Sequence, residues 1–413
     1  MEAMKESFKA YKDVIKSPGA LRLLVAVVPP RIAYGMITLS IYFKVQQETG
    51  SIATAGFATG LSALTGALTT GLRGVAVDRF GIIWPLRIMV PLYAGSIFAL
   101  SLSNERNLMI FFAALTGLFA PPINLSIRPL WKFTVVAERL RTAYALDASS
   151  MRAVAVFAPV LATTLSLSVD PDVALQACAI LMLLGALLLT PIHQVKTWQP
   201  EPKEVGELPI WRVRGFQLLV LEAIVIGFGR GAFEIGIPAS GTLAGVAHRV
   251  GTVLAIMASM YVVGGLVAGA MSRKISALRA YRSNYLIWAL AAVPLAFTNM
   301  DWSIMVAVAI IGFFGGAGQV FYWEITEAIR PKGTAVQTIA WLWAIEGTSA
   351  AFGITLGGYL AETYSPRYSL AIMSVSLFIG LLVITLGRKH LKAADRIVGP
   401  GDETTPPDPA KPM

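Results

Sequence analysis

Six ionisable side chains lie deep within apolar stretches of this sequence: Arg31, Arg152, Glu222, Arg230, Glu234 and Glu346. A charge held in hydrocarbon costs about 3 kcal/mol or more, so each needs an opposite charge, a polar partner or water. Arg230 and Glu234 stand four residues apart and can pair along one helix, with Glu222 two turns before Arg230 on nearly the same face. A carboxylate that keeps its proton while enclosed, and releases it when an arginine or water approaches, can couple a proton to another event. Glu222 and Glu346 are the candidates for that role. Glu234 is a poorer one, because its neighbour Arg230 holds it ionised. Arg31 and Arg230 offer guanidinium groups suited to a carboxylate or phosphate on a ligand. The same two arginines can instead be static struts bound to Glu222 or Glu346, and residue type alone leaves both roles open.

The elements that must position these groups follow from composition. Of 413 residues, 55% are hydrophobic and only 14% charged, too little charge for the surface of a soluble protein of this length. A net charge of +10 does not point to nucleic acid, since the Lys and Arg sit in short groups between apolar runs rather than in one basic domain. The lone Cys178 excludes an intrachain disulfide. Crossing about 30 Å of hydrocarbon at 1.5 Å per residue takes about 20 residues in a helix. Runs of that kind fall near 20–43, 51–73, 82–103, 108–131, 142–168, 172–192, 215–239, 250–272, 283–299, 302–325, 334–361 and 367–387. The expectation is therefore an all-α polytopic membrane protein with twelve spans. The first run follows a basic, amphipathic leader (Lys5, Lys9, Lys12, Lys16) and is longer than a signal-peptide core, so it is a retained span. With a cytoplasmic amino terminus, the outer loops hold only Lys44, Arg106, Arg249 and Arg367, which sets both termini inside.

The longest internal break, 193–214, is rich in Pro and charge and reads as a cytoplasmic linker between six-helix units at 1–192 and 215–390. The units echo one another. Gly74 before Asp78-Arg79 corresponds to Gly269 before Arg273-Lys274, and Pro171 to Pro366, both at an offset of 195, while Thr142-Ala143 matches Thr334-Ala335 at 192. The segment 391–413 has little to bury and is expected to be a disordered cytoplasmic tail.

Between the second and third runs lies G-L-R-G-V-A-V-D-R-F-G, residues 71–81, in which Arg73, Asp78 and Arg79 crowd what reads as a tight cytoplasmic loop. Gly74, Asp78, Arg79 and Gly81 reproduce the G-x-x-x-D-R-x-G signature that joins helices 2 and 3 of the major facilitator superfamily, and the chain resembles that family. The basic pair that usually follows is replaced here by Ile82 and Ile83. The resemblance implies two pseudo-symmetric six-helix units, with spans 1, 4, 7 and 10 lining a central cavity. Helix breaks are expected on those four spans: Pro29 and Pro30, Pro121 and Pro122, a glycine cluster around Gly229, and another around Gly315. The alternative for such residues is simple close packing. Cavity candidates are then Arg31, Asn124, Glu222, Arg230 and Glu234. The resemblance also implies a gate in which Asp78 sits at the amino-terminal end of helix 11, near Thr334, with Arg79 free to pair with Asp147.

Span 5 carries V-F-A-P-V-L-A-T-T, which keeps Pro159 of the family's antiporter signature but has Ala158 and Ala162 where it has glycines. No sugar-porter signature follows span 4, and no phosphate-cradling Gly-rich loop ends in Lys, so ATP is not the driver. His193, His248 and His390 lie at span ends or in loops and suggest no metal site. The functional expectation is a secondary transporter, not an enzyme and without cofactor, that exports a small organic molecule in exchange for protons. It would act as a monomer in the cytoplasmic membrane of a bacterium, with the bilayer, protons and the substrate as its partners and no nucleic acid. Uptake of an organic anion is the alternative within transport, and a sensor or scaffold with a transporter fold the alternative outside it.

Overall fold

The computed structural model describes residues 12–131, 133–136, 140–198, 210–270, 276–330 and 335–395, and no strand occurs among them. Helix satisfies every backbone amide within its own segment, which is what an apolar environment demands. The helices of the first part are α1 (Ala20–Thr49), α2 (Ile52–Phe80), α3 (Ile83–Ser101), α4 (Arg106–Leu118), α5 (Ile123–Trp131), α6 (Leu140–Ser168), α7 (Pro171–Leu189) and the short α8 (His193–Thr197). Those of the second part are α9 (Arg214–Leu243), α10 (Val250–Ala270), α11 (Ala277–Ala292), α12 (Trp302–Ile329), α13 (Ala335–Thr363) and α14 (Pro366–Leu386). The positions that the 195-residue repeat pairs begin α7 and α14 in the same way. Asp170 and Ser365 accept hydrogen bonds from the backbone of Asp172 and Arg367, and each helix opens with proline, whose missing N–H is no loss there.

Six helical segments among the described residues are long and apolar enough to cross a bilayer by length and composition: Ala20–Thr49, Ile52–Arg73, Pro171–Leu189, Ala247–Ala268, Trp302–Ile329 and Pro366–Lys392. The others of the twelve expected runs are shorter, interrupted or more polar. Helix α9 contains Glu222, Arg230 and Glu234, and the run at 108–131 is divided into α4 and α5.

Several sequence expectations need correction. The stretch at 71–81 is not a loop: α2 remains helical to Phe80, and the turn is confined to Gly81 and Ile82, with Gly81 at a φ of 75° that only glycine adopts readily. Pro29 and Pro30 do not interrupt α1. They lie inside one continuous helix, and a β-carbon on Gly185 of α7 would overlap the Pro30 ring, so the two helices meet there. The glycines around Gly229 and Gly315 also leave their helices unbroken. A side chain on Gly227 or Gly231 would strike the carbonyls of Glu346 or Ala350 on α13, one on Gly229 would strike Ser376 of α14, and one on Gly316 would strike the Tyr261 carbonyl of α10. Bare backbone lets these helices approach closely, as membrane helices do where no hydrophobic effect drives them together. Only Pro121 and Pro122 sit at a true break, between α4 and α5. At the other end of the chain, order continues past 390: a 3₁₀ segment spans Gly387–Asp395 and buries Leu391, while 396–413 lie outside the described residues.

The two parts of the chain meet along α2 with α13 and along α6 with α10. The contacts run from one end of the bundle to mid-depth. At that end Ser51 and the Ala53 N–H both donate to the Glu362 carboxylate, and the Tyr42 and Thr242 hydroxyls lie 3.2 Å apart. Farther in, Gly56 faces the backbone of Gly358, a β-carbon on Gly60 would strike Thr355, and Gly251 packs on Pro159 and Val160. Gly347 approaches Ala67 at mid-depth. In the state described the bundle is closed at the end that carries Thr49, Ser51 and Glu362.

Candidate functional site

Arg31 follows the two prolines of α1 and turns toward α5 and α6. Its Nη2 pairs with Asp147 Oδ1 at 2.7 Å, its Nε donates to Asn124 Oδ1 at 3.4 Å, and its Nη1 donates to the Asp147 carbonyl at 3.3 Å and to the Ser150 hydroxyl. The Arg31 and Asp147 side chains are only 3% and 4% exposed. A guanidinium so enclosed directs its donors into the protein, and breaking a buried pair of this kind leaves an uncompensated charge. Arg31 therefore holds three elements together. Its partner is Asp147, not Glu222 or Glu346. Asp147, expected beside Arg79, faces α1 because its position on α6 is buried toward that helix.

The break between α4 and α5 is closed by side chains. It frees carbonyls that would otherwise accept helical hydrogen bonds. Arg73 Nη1 donates to the Ala120 carbonyl at 2.5 Å, and the Tyr34 hydroxyl donates to the Pro121 carbonyl. Arg73 Nη2 also donates to Thr70 Oγ1 at 3.0 Å and to the Gly66 carbonyl. Thus Arg73, which the sequence reading counts with the charges of an exposed loop, is buried and serves as a cap. Next to it a cavity of about 160 Å³ is lined by Tyr34, Thr59, Ser62, Gly66, Tyr93 and Thr116.

In the second part, Glu222 on α9 is 4% exposed, and its Oε1 accepts from the hydroxyls of Tyr281 at 2.9 Å and Tyr285 at 3.1 Å, both on α11. No cation among the described residues pairs with it. Two turns on, Arg230 Nε donates to Glu346 Oε1 of α13 at 3.0 Å, while Arg230 Nη1 lies 3.6 Å from Glu234 Oε2. The partner from the neighbouring helix is thus nearer than the one four residues along. Arg230 is 46% exposed, in contrast with Arg31. Glu222, Arg230 and Glu346 share a cavity of about 150 Å³, walled by Tyr261, Tyr281, Trp288 and Tyr322 and floored by the glycine face of α12. Gly315 is needed there: a β-carbon on it would stand 3.2 Å from the Trp288 ring. Trp288 Nε1 has no hydrogen-bond partner among the described residues.

The structure thus joins Arg31, Asn124 and Asp147 in one cluster and Glu222, Arg230, Glu234 and Glu346 in another. Gly81 ends α2, Gly229 and Gly315 are packing positions, and Pro121 and Pro122 lie at the break. Gly74, Asp78 and Arg79 fall on the last turns of α2 and Arg152 on α6, and their side chains lie outside the described residues, as does Thr334. Sequence reasoning missed the aromatic wall. Tyr281, Tyr285 and Trp288 recur at four- and three-residue steps, a stripe on one helix face that was there to be found.

A bundle of apolar helices, closed at one end and holding buried charge at its centre, is the architecture of a membrane transporter. Three solved structures share it. A mutant of the peptide transporter POT superimposes with a TM-score of 0.75 at 11% identity, over 92% of this chain and 96% of that one. A mutant of the nucleoside transporter NupG gives 0.70 at 12%, over 89% and 99%. A bacterial homologue of the human lysosomal transporter Spinster, in an inward-facing and occupied conformation, gives 0.66 at 15%, over 92% and 96%. At these identities the likeness is one of fold. No curated protein matches the sequence. The model of the Major Facilitator Superfamily matches residues 23–326, and the chain belongs to that family.

Proposed function

We propose that this protein moves a small organic molecule across a cytoplasmic membrane by alternating access, as proton-coupled export. The observation that carries the coupling is Glu222: an enclosed carboxyl bonded to two tyrosine hydroxyls, with no paired cation among the described residues, two turns from an arginine already held by Glu346. A carboxyl without a counter-charge is where a proton can be loaded and lost at least expense, whereas Glu346 is committed to Arg230. Glu222 is thus the proton site, and the Arg230–Glu346 pair is the contact that ligand or protonation can rearrange.

Two units of 1–192 and 215–390, joined by the segment 193–214 with both termini in the cytoplasm, fit this scheme. The closed end would then face outward and the substrate would enter from inside. Asp78 and Arg79 would govern the cytoplasmic end, with Asp147 bound to Arg31 instead. Uptake of an anion is disfavoured because Arg31 is occupied by Asp147 and Arg230 by Glu346, which leaves neither guanidinium open to an anion. The test is proton movement in liposomes containing the purified protein, followed with an internal pH dye while candidate solutes are added outside. Solute-dependent proton flux that disappears in Glu222→Gln is expected. Proton flux unchanged by that substitution would remove Glu222 from the mechanism.

A further inference from the structure

We propose that the cavity beside Glu222 takes an organic cation, in which a group about the size of one aromatic ring carries or adjoins the positive charge. This rests on the transport reading above and narrows it to a class of substrate.

Charge comes first. The charged groups lining the cavity are Glu222, Arg230 and Glu346, and Glu234 adds a second carboxylate to Arg230. Arg230 is thus shared between two carboxylates and Glu222 has no cation at all, so the ionised site is net negative. An anion entering it would have to displace a carboxylate from Arg230 while facing Glu222. A cation meets an uncompensated carboxylate at once. The wall adds to this preference, because Tyr261, Tyr281, Trp288 and Tyr322 line it with aromatic rings, whose faces carry a negative quadrupole that attracts cations. Tyr281 and Tyr285 both direct their hydroxyls to Glu222, and the Tyr285 and Trp288 rings meet at a tilt with centroids 5.7 Å apart, so the aromatic groups adjoin the carboxylate. Size sets the limit. The cavity measures about 150 Å³ and opens on the side of the half-exposed Arg230, so it limits the part of the ligand held beside Glu222, about one benzene ring, and not the whole molecule. The bare backbone of Gly315 is what leaves room for the ring against Trp288.

The experiment compares two probes of similar size and opposite charge, phenyltrimethylammonium and benzoate, by calorimetric binding to the purified full-length protein in detergent at neutral pH. Phenyltrimethylammonium should bind at least about tenfold more tightly than benzoate, and Glu222→Gln, which removes the charge attraction, should weaken it by about tenfold. Trp288→Phe, which keeps an aromatic face, should weaken it less than Trp288→Ala. Benzoate binding equally or more tightly, no measurable binding of the cation, or undiminished cation binding in a folded Glu222→Gln protein would each overturn the proposal. The comparison of probes on the unaltered protein needs no variant, so it decides the matter even if a substituted protein fails to fold. Failure of the transport reading looks different. Tight cation binding without proton movement in liposomes would retain the ligand class and discard coupling, whereas proton-driven movement of benzoate would retain transport and discard the ligand class.

Discussion

Glu362 ends α13 and reaches across to the first turn of α2, where Ser51 Oγ donates to it at 2.8 and 3.1 Å and the Ala53 N–H donates as well. The amino terminus of a helix carries about half a positive charge and unpaired amides, so a carboxylate there contributes about 1 kcal/mol at an exposed site. Glu362→Gln keeps an acceptor and removes the charge, a loss of about 1 kcal/mol that changes the ratio of closed to open states at this end about fivefold. Glu362→Ala removes the hydrogen bonds too; at about 2 kcal/mol in total the shift becomes about thirtyfold. Spin labels on Gln47→Cys and Tyr364→Cys, both exposed at this end, would report the two populations as a short and a long distance. Cys178, the lone cysteine, is buried and does not interfere. The graded order of wild type, Gln and Ala is the signature. An Ala variant with the wild-type distance distribution would show that Glu362 does not hold this end shut, and high salt should mimic part of the Gln effect by screening.

Other expectations follow from the same geometry. Glu222→Gln should preserve exchange of solute across liposomes while abolishing accumulation against a gradient, and Glu346→Gln should reduce accumulation less; proton-dependent accumulation retained in both variants would refute the coupling assignment. Asp147→Asn should lower stability by about 3 kcal/mol or more through the stranded Arg31, and Arg31→Met combined with Asp147→Leu should recover much of it; thermal unfolding in detergent is the measurement, and a double variant as unstable as the worse single one would contradict the strut. Gly231→Ala drives a β-carbon into the Ala350 carbonyl and should cost about 1–3 kcal/mol in the same assay. Asp78→Asn should raise accessibility of cytoplasmic cysteine reporters and slow turnover, and wild-type values of both would confine that signature to topology.

The helical character, the positions of six of the twelve expected spans and the break at Pro121–Pro122 were legible in the sequence because hydropathy and proline act locally. Partners were less so. That Arg31 meets Asp147, 116 residues away, depends on the rotation of α6 about its axis, which no spacing rule supplies. Arg230 illustrates the same point: the i, i+4 rule offers Glu234, yet Glu346 lies nearer because Gly227 lets α13 approach at that level. Glycines read as breaks proved to be points of close helix packing, since in a membrane helix the same residue serves either purpose and only the neighbour decides. Glu362 gave no signal at all beyond being a carboxylate near a helix end.

The gap between α4 and α5 bears on how the protein is made. Its freed carbonyls could not remain bare in lipid, and the groups that satisfy them, Tyr34 on α1 and Arg73 on α2, both precede the gap in the chain. Synthesis from the amino terminus therefore delivers the two caps to the membrane before the broken segment arrives to need them. A rearranged chain with the same contacts, in which residues 106–131 were inserted first, would have to hold that backbone unsatisfied until its partners followed. The order of the helices along the chain is thus a condition for assembling the fold as well as a description of it.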